Sequence, residues 1–219
     1  MTEALPKGIR SAGPEDAPAM ARCHAAAFPG EFLTLMGQGF LRAFYRFYIV
    51  RGGIALVAID EAGGQVIGLV AGGEPSLRSR FTRRHVVRFV ATLAVKSLQH
   101  RRIRQRLGEH LRAALVPILR KLHLTRPRAA SDPEPTDPLG TWSNLLSVCT
   151  HPEFRGRGTG KALMEAFRIA SANRGYRTMR LSVHNDNAAA MALYRSCGWR
   201  TILTTPKGTY FKRSVEDAP

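Results

Sequence analysis

Apolar and polar positions along the chain repeat with two different periods, and the stretches of each period alternate. Ile9-Arg10-Ser11-Ala12 predicts a short first strand, and Pro14-Glu15-Asp16 then opens a helix through Ala27, with acidic residues suited to a helix N-terminus. Phe32 to Val50 carries apolar and aromatic residues at three- and four-residue spacing, which predicts one second helix. Gly53–Ile59 and Val66–Ala71 are apolar, β-branched runs separated by Asp60-Glu61-Ala62-Gly63-Gly64, the pattern of a hairpin.

From Ser76 to Leu124 the pattern changes. Val86, Phe89, Val90, Leu93, Ala94 and Leu98 recur at helical spacing with arginines between them. Ile103, Leu107, Leu111, Leu115, Ile118 and Leu122 do the same, so two basic amphipathic helices are expected. Arg126 to Gly140, with Pro127, Pro133, Pro135 and Pro138, has the composition of a linker.

Order is expected again from Trp142: a strand over Asn144–Thr150, a helix over Gly158–Arg174 stopped by Gly175, and a strand over Thr178–Val183. A helix over Asn187–Cys197 follows, with Asn187 suited to its N-cap and Gly198 just past its end. Trp199–Thr204 and Thr209–Lys212 then form a closing hairpin. The sequence strand–helix–strand–helix–strand implies an α/β fold with a mixed sheet and at least one parallel crossover. The whole chain, 1–219, is expected to be a single domain, with 75–141 as a basic helical insertion ending in a Pro-rich linker.

Charge sharpens this division. The chain carries 33 Lys and Arg against 16 Asp and Glu, a net charge of +17. Ser76 to Arg128 alone holds fifteen basic residues and one acidic residue, Glu109. The basicity therefore belongs to the insertion and not to the surface at large. No signal-peptide-like stretch and no run of about 18 uncharged apolar residues occurs. Cys23, Cys149 and Cys197 are odd in number and make no CxxC pair. A reduced cytoplasmic protein without a structural metal is the expectation.

The segment Val148-Cys149-Thr150-His151-Pro152-Glu153-Phe154-Arg155-Gly156-Arg157-Gly158-Thr159-Gly160-Lys161 takes a strand into a glycine-rich turn and straight into a helix. Such a junction presents bare backbone N–H groups and the positive end of a helix dipole, which suits a phosphate or pyrophosphate. A Walker A loop is excluded, because Arg155 and Ala162 stand where Gly and Ser or Thr are required. The dinucleotide fingerprint fails too, since Gly156, Gly158 and Gly160 alternate. A solvated basic turn is the competing reading of the same residues.

A second block, Leu181-Ser182-Val183-His184-Asn185-Asp186-Asn187, leads into Ala190, Leu193, Tyr194, Gly198 and Trp199. Together the two blocks resemble the GNAT superfamily of acyl-CoA N-acyltransferases. Arg155, Gly158 and Gly160 match its pyrophosphate motif; Asn187, Ala190, Tyr194, Gly198 and Trp199 match its second signature. The resemblance covers Asn144 to about Trp199, and it implies a mostly antiparallel sheet with a splayed central strand pair flanked by helices. It further implies acetyl-CoA as co-substrate. Backbone groups of Val148, Cys149 and Thr150 would pair with the pantetheine arm, one N–H polarising the thioester carbonyl. Arg155, Gly156, Arg157, Gly158, Thr159 and Gly160 would cradle the pyrophosphate, Asn187 would contact the pantetheine region, and Tyr194 would protonate the departing thiolate. Read without the resemblance, Tyr194 is a core aromatic on an apolar helix face.

The attacking amine must also lose a proton. Family members that acetylate ribosomal-protein N-termini carry Glu where this chain has Ser182, and Asn144 and Ser147 are not acidic either. Glu31, Glu74, His151 and His184 remain as candidates, beside a water-relayed proton. The reaction expected is acetyl transfer to a primary amine, in a ternary complex, of a small acceptor bearing phosphate, such as an amino sugar. A protein lysine or N-terminus is one alternative acceptor, and a non-catalytic CoA-binding module is an alternative class. The 76–128 stretch would meet an acidic acceptor, an acidic partner or an anionic membrane at its inner face. It lacks the aromatic interleaving of nucleic-acid modules. Otherwise it is a lid, or a homodimer contact, with solvated arginines.

Overall fold

The computed structural model describes residues 3–85, 142–206 and 208–217. Seven strands form one sheet: β1 (Ile9–Ser11), β2 (Ile54–Ile59), β3 (Val66–Gly73), β4 (Trp142–Thr150), β5 (Thr178–Val183), β6 (Arg200–Thr205) and β7 (Gly208–Ser214). Their spatial order is β1-β2-β3-β4-β5-β7-β6. Every neighbouring pair is antiparallel except β4–β5, which is parallel. The mixed, mostly antiparallel α/β sheet expected from the sequence is present. The two amphipathic helices beyond Val86 and the linker at Arg126–Gly140 lie outside the described residues.

Both faces of the sheet are covered, which is why β2 reads as an unbroken apolar run. Ala55 and Val57 point to a core shared with α1 (Ala17–Ala27), α2 (Phe32–Leu35), α3 (Gln38–Val50) and α4 (Ser76–Arg84). Ile54, Leu56 and Ala58 point to the opposite core, shared with α5 (Thr159–Ala172) and α6 (Ala188–Ser196). Period-two alternation with two buried faces leaves no polar positions in the strand.

The stretch Phe32–Val50 is not one helix. It breaks at Met36-Gly37, where Gly37 sits at φ 94°, and α3 starts afresh at Gln38. The apolar spacing continues across the break, so periodicity alone conceals it. A further helix, α4, follows β3: it seats Phe81 against Phe40, Phe44 and Phe47, and Leu77 is buried in the same core. Arg80, Arg83 and Arg84 of α4 line an open cleft of about 430 Å³ with Phe47 and Arg51.

The middle of the sheet controls the site. β4 pairs with β3 along its length, but its register slips between Ala71↔Ser147 and Gly72↔Leu145. The extra residue, Leu146, makes a bulge. Beside it, a Cβ on Gly72 would meet the Phe167 ring at 2.8 Å and the Asn144 carbonyl oxygen closer still. On its other side β4 pairs with β5 over only Trp142↔Thr178, Ser143↔Met179 and Asn144↔Arg180. Beyond that point the strands separate, as the family resemblance implied. The paired end is fastened by the Arg180 guanidinium 4.7 Å over the Trp142 ring and by the Ser143–Ser171 hydroxyl contact of 2.9 Å.

Gly72→Ala is expected to destabilise the fold by about 1–3 kcal/mol through overpacking at the bulge. It would appear as a lower urea midpoint at unchanged m-value; a wild-type midpoint would show that the bulge has room.

Candidate functional site

Where β4 and β5 part, a cavity of about 390 Å³ opens between the sheet and the helices on the α1–α4 side. Asn144 to Val148 of β4 form one wall, and Ser182 to His184, Asp186 and Asn187 with Tyr194 form the other. Phe28, Phe32, Phe40, Phe44 and Phe81 close the far side. Among the described lining residues Arg78 is the one Lys or Arg, and Glu31 and Asp186 are the carboxylates.

The bulge sets what each β4 residue presents. Leu145 packs with the α5 core, Leu146 turns to the α1–α3 core, and Ser147 hydrogen-bonds Tyr45 of α3. Val148 returns to the α5 face, and Cys149 is buried on the α1 face. A hydrogen bond to the Cys23 thiol, with burial, pushes the Cys149 thiol well up. Of the three β4 residues expected to meet an extended ligand, Val148 therefore lines the cavity, while Cys149 and Thr150 lie further along the strand.

That strand end runs into the glycine-rich turn. A short 3-10 segment, Pro152–Phe154, precedes Arg155, and Gly158 is the N-cap of α5. Gly156 and Gly158 sit at φ 77° and 80°, a left-handed conformation that side chains with a Cβ rarely adopt. A Cβ at either would meet nothing within 4 Å, so the ground above the loop amides is open. Gly160 lies close to Thr150 and to Leu193 of α6, tying the turn to strand and helix. The arginine side chains are partly engaged: Arg155 donates to the Ala27 carbonyl at 3.0 Å, and Arg157 lies 5.0 Å from the Phe154 ring centroid. The Arg155 N–H itself donates to the Pro152 carbonyl at 3.3 Å, so the amides facing open ground begin at Gly156. Arg155 to Gly160 are not part of the cavity wall; they continue from it along β4.

Asn187 accepts a hydrogen bond from the Ala190 amide at 3.1 Å, the N-cap expected from the sequence, and it also borders the cavity. Tyr194 is 7% exposed, packed on Trp199 and Phe211, and at the same time lines the cavity. Tyr194 is thus a core aromatic, as its helix face predicts, that also borders the cavity. Burial pushes its phenol up to about 12, so it stays protonated at neutral pH.

Of the four candidate proton acceptors, Glu31 and His184 reach the cavity rim. Glu74 is bonded to the Ser76 hydroxyl at 2.6 Å, and His151 lies 3.8 Å from Glu153; neither lines the cavity. The sequence reading missed His24. It lies on the buried stripe of α1 with Ala17, Met20, Ala21 and Ala27, and it is 4% exposed. Its Nδ1 is 2.6 Å from the Tyr45 hydroxyl and 3.4 Å from Ser147 Oγ. Burial lowers its pKa to about 4, and the ring forms part of the cavity wall. A polar residue on an otherwise apolar helix stripe was the available signal.

Comparison with known proteins agrees with this geometry. The model of the acetyltransferase (GNAT) family matches residues 129–199. Ribosomal protein bS18-alanine N-acetyltransferase of Escherichia coli is 37% identical over 57 residues, which is 26% of this chain and 38% of that enzyme. The match therefore spans well under half the length of the curated relative. Among solved structures, a ribosomal-protein-alanine N-acetyltransferase from Brucella melitensis superposes with a TM-score of 0.56 at 17% identity, covering 94% of this chain and 98% of that one. A phosphinothricin acetyltransferase from Sinorhizobium meliloti, solved in complex with acetyl-CoA, gives 0.57 at 15% identity, covering 98% and 89%.

Because the folded protein resists protonating His24, acid works against the fold. The unfolded chain takes up this proton below about pH 6.5 and the folded chain only near pH 4. Stability tied to His24 is complete above that upper value and falls as the pH drops between the two, by about 3 kcal/mol in all. His24→Asn should lose less stability than wild type between pH 7 and pH 4 in urea titrations; equal losses would contradict the burial of this ring.

Proposed function

We propose that this chain, whose residues 129–199 match the acetyltransferase (GNAT) family, transfers the acetyl group of acetyl-CoA to a primary amine in a ternary complex. The observation that carries this reading is the separation of β4 from β5 after Asn144↔Arg180, with Tyr194 on one side and the left-handed glycine turn at the strand's end. An elongated co-substrate fits that arrangement. Its pyrophosphate rests on the amides of Gly156–Gly160 at the start of α5, where the helix dipole favours negative charge. Its pantetheine arm runs back along the open edge of β4, past Thr150, Cys149 and Val148, in the manner of an added strand. The thioester then lies in the cavity, its carbonyl near a β4 amide that stabilises the developing oxyanion.

The chemistry needs two proton movements. The C–N bond forms as the C–S bond breaks, and the sulfur takes the phenolic proton of Tyr194. A phenol held near 12 by burial keeps that proton until a thiolate forms beside it. Asn187 orders the start of α6 through the Ala190 amide and so fixes the helix that carries Tyr194.

The acceptor side combines an aromatic floor with Arg78, Glu31 and Asp186 at its edge. This suits a primary amine whose body is apolar and which carries an acidic group, phosphate or carboxylate, toward Arg78. A protein N-terminus is the second reading, favoured by the name of the bS18-alanine enzyme. Ser182 in place of an acidic residue speaks against it. The stretch 76–128 would add attraction for an acidic partner or an anionic membrane surface, through arginines such as Arg80, Arg83 and Arg84.

Calorimetry should show acetyl-CoA binding to the folded protein, and its absence would end the enzyme reading. Thiol release with phenethylamine, phosphoethanolamine, glucosamine 6-phosphate and an Ala-initiated peptide then separates the acceptor classes. Gly158→Val, at a left-handed position facing open space, should weaken acetyl-CoA binding by about tenfold or more; an unchanged Kd would displace the pyrophosphate from the loop. Tyr194→Phe should lower kcat by about 100-fold while leaving the acetyl-CoA Kd unaltered. A wild-type kcat would return Tyr194 to a purely packing role.

A further inference from the structure

No carboxylate stands on β4 or β5 themselves, and Glu31, His184 and Asp186 line the cavity from the segments around them, so the strand walls offer no acidic residue to take the proton of the attacking amine. The cavity wall contains a buried polar group with an open valence. His24 Nδ1 is occupied by the Tyr45 hydroxyl at 2.6 Å, and that hydroxyl donates onward to Ser147 Oγ at 3.3 Å. The chain Nδ1–H to Tyr45 Oη to Ser147 Oγ uses each hydrogen once. It leaves Nε2 as a bare lone pair, and Nε2 is buried with no hydrogen-bond partner. An unmet buried polar nitrogen costs about 1–3 kcal/mol and calls for an explanation in what the cavity receives.

Resting on the acetyl-transfer reading, we propose that His24 Nε2 is the catalytic proton acceptor for the amine, with Tyr45 and Ser147 as positioning residues that hold the ring in the Nδ1–H tautomer. The three groups come from α1, α3 and β4, and Ser147 reaches Tyr45 because the bulge at Leu146 turns it to that face. Ser147 also shares the cavity wall with His24, so the base stands beside the strand along which the thioester lies. The balance is complete. The amine nitrogen bonds to the acetyl carbon and sheds one proton to Nε2, the C–S bond breaks, and the sulfur takes the proton of Tyr194. The imidazolium then returns its proton to the Tyr194 phenolate, directly or through water, restoring both groups. Burial keeps the ring neutral at working pH, which is the state able to accept. The aromatic edge contact with Phe28, 5.1 Å between centroids, holds the ring plane.

The test uses the full chain and whichever of phenethylamine, phosphoethanolamine, glucosamine 6-phosphate or the Ala-initiated peptide wild type acetylates fastest. His24→Asn keeps an amide N–H where Nδ1–H donates to Tyr45 and removes Nε2. Thiol release should fall by about 100-fold or more with acetyl-CoA affinity within twofold of wild type. In His24→Ala, added imidazole should restore part of the rate while pyrrole, a ring of the same size with no basic nitrogen, should not; equal rescue by both would overturn the assignment. In wild type, nitrogen NMR of the ring should show Nδ1 protonated and Nε2 bare. Turnover by the Asn variant at the wild-type rate, or a proton found on Nε2, overturns the assignment. If the Asn variant does not fold, the wild-type tautomer and the imidazole response decide. Failure of wild type to bind acetyl-CoA would instead remove the transfer reading on which this one rests, and with it this one.

Discussion

A parallel strand pair that holds for three residues and then lets go shapes everything else in this protein. β4 and β5 meet only over Trp142–Asn144 and Thr178–Arg180, where the Arg180–Trp142 stack and the Ser143–Ser171 hydroxyl contact clamp the closed end. Each strand is fully engaged on its other side, β4 with β3 and β5 with β7. The sheet can therefore open along that one seam without unravelling. The bulge at Leu146, seated over Gly72 where no side chain fits, twists β4 away and fixes where the opening begins.

Opening the seam produces two kinds of surface from one backbone. Along the strand edge it leaves amide and carbonyl groups to meet an extended ligand, and the same strand continues into the left-handed turn at Gly156 and Gly158. Behind the edge Tyr194 from α6 and His24 from α1 border the cavity while remaining buried. One physical cause sets the protonation of both. Burial penalises the charged form, so the phenol keeps its proton and the imidazole lacks one. At neutral pH one ring therefore carries its proton while the other has room for one.

The secondary elements were largely legible because each is a local pattern. The apolar, β-branched runs of β2 and β3, the cap at Asn187, and the strand–turn–helix at Val148–Lys161 all depend on neighbours in sequence. The break at Gly37 was not, since the apolar spacing of Phe32–Val50 runs through it and packing against α1 rewards two short helices as well as one long one. The helix α4 was hidden in the basic stretch because its aromatic anchor, Phe81, finds its partners on α3 more than thirty residues earlier.

The sequence by itself determined the glycine-rich junction, the caps and the location of Tyr194 on its helix, because bare amides, left-handed φ and helix starts are properties of a few adjacent residues. Only the tertiary structure decided that Tyr194 and His24 share a cavity, that Ser147 turns to Tyr45, and that Arg155 is tied to the end of α1. These depend on how far two strands separate and which face a bulge presents. Both are set by contacts between residues distant in the chain, which no spacing along it encodes.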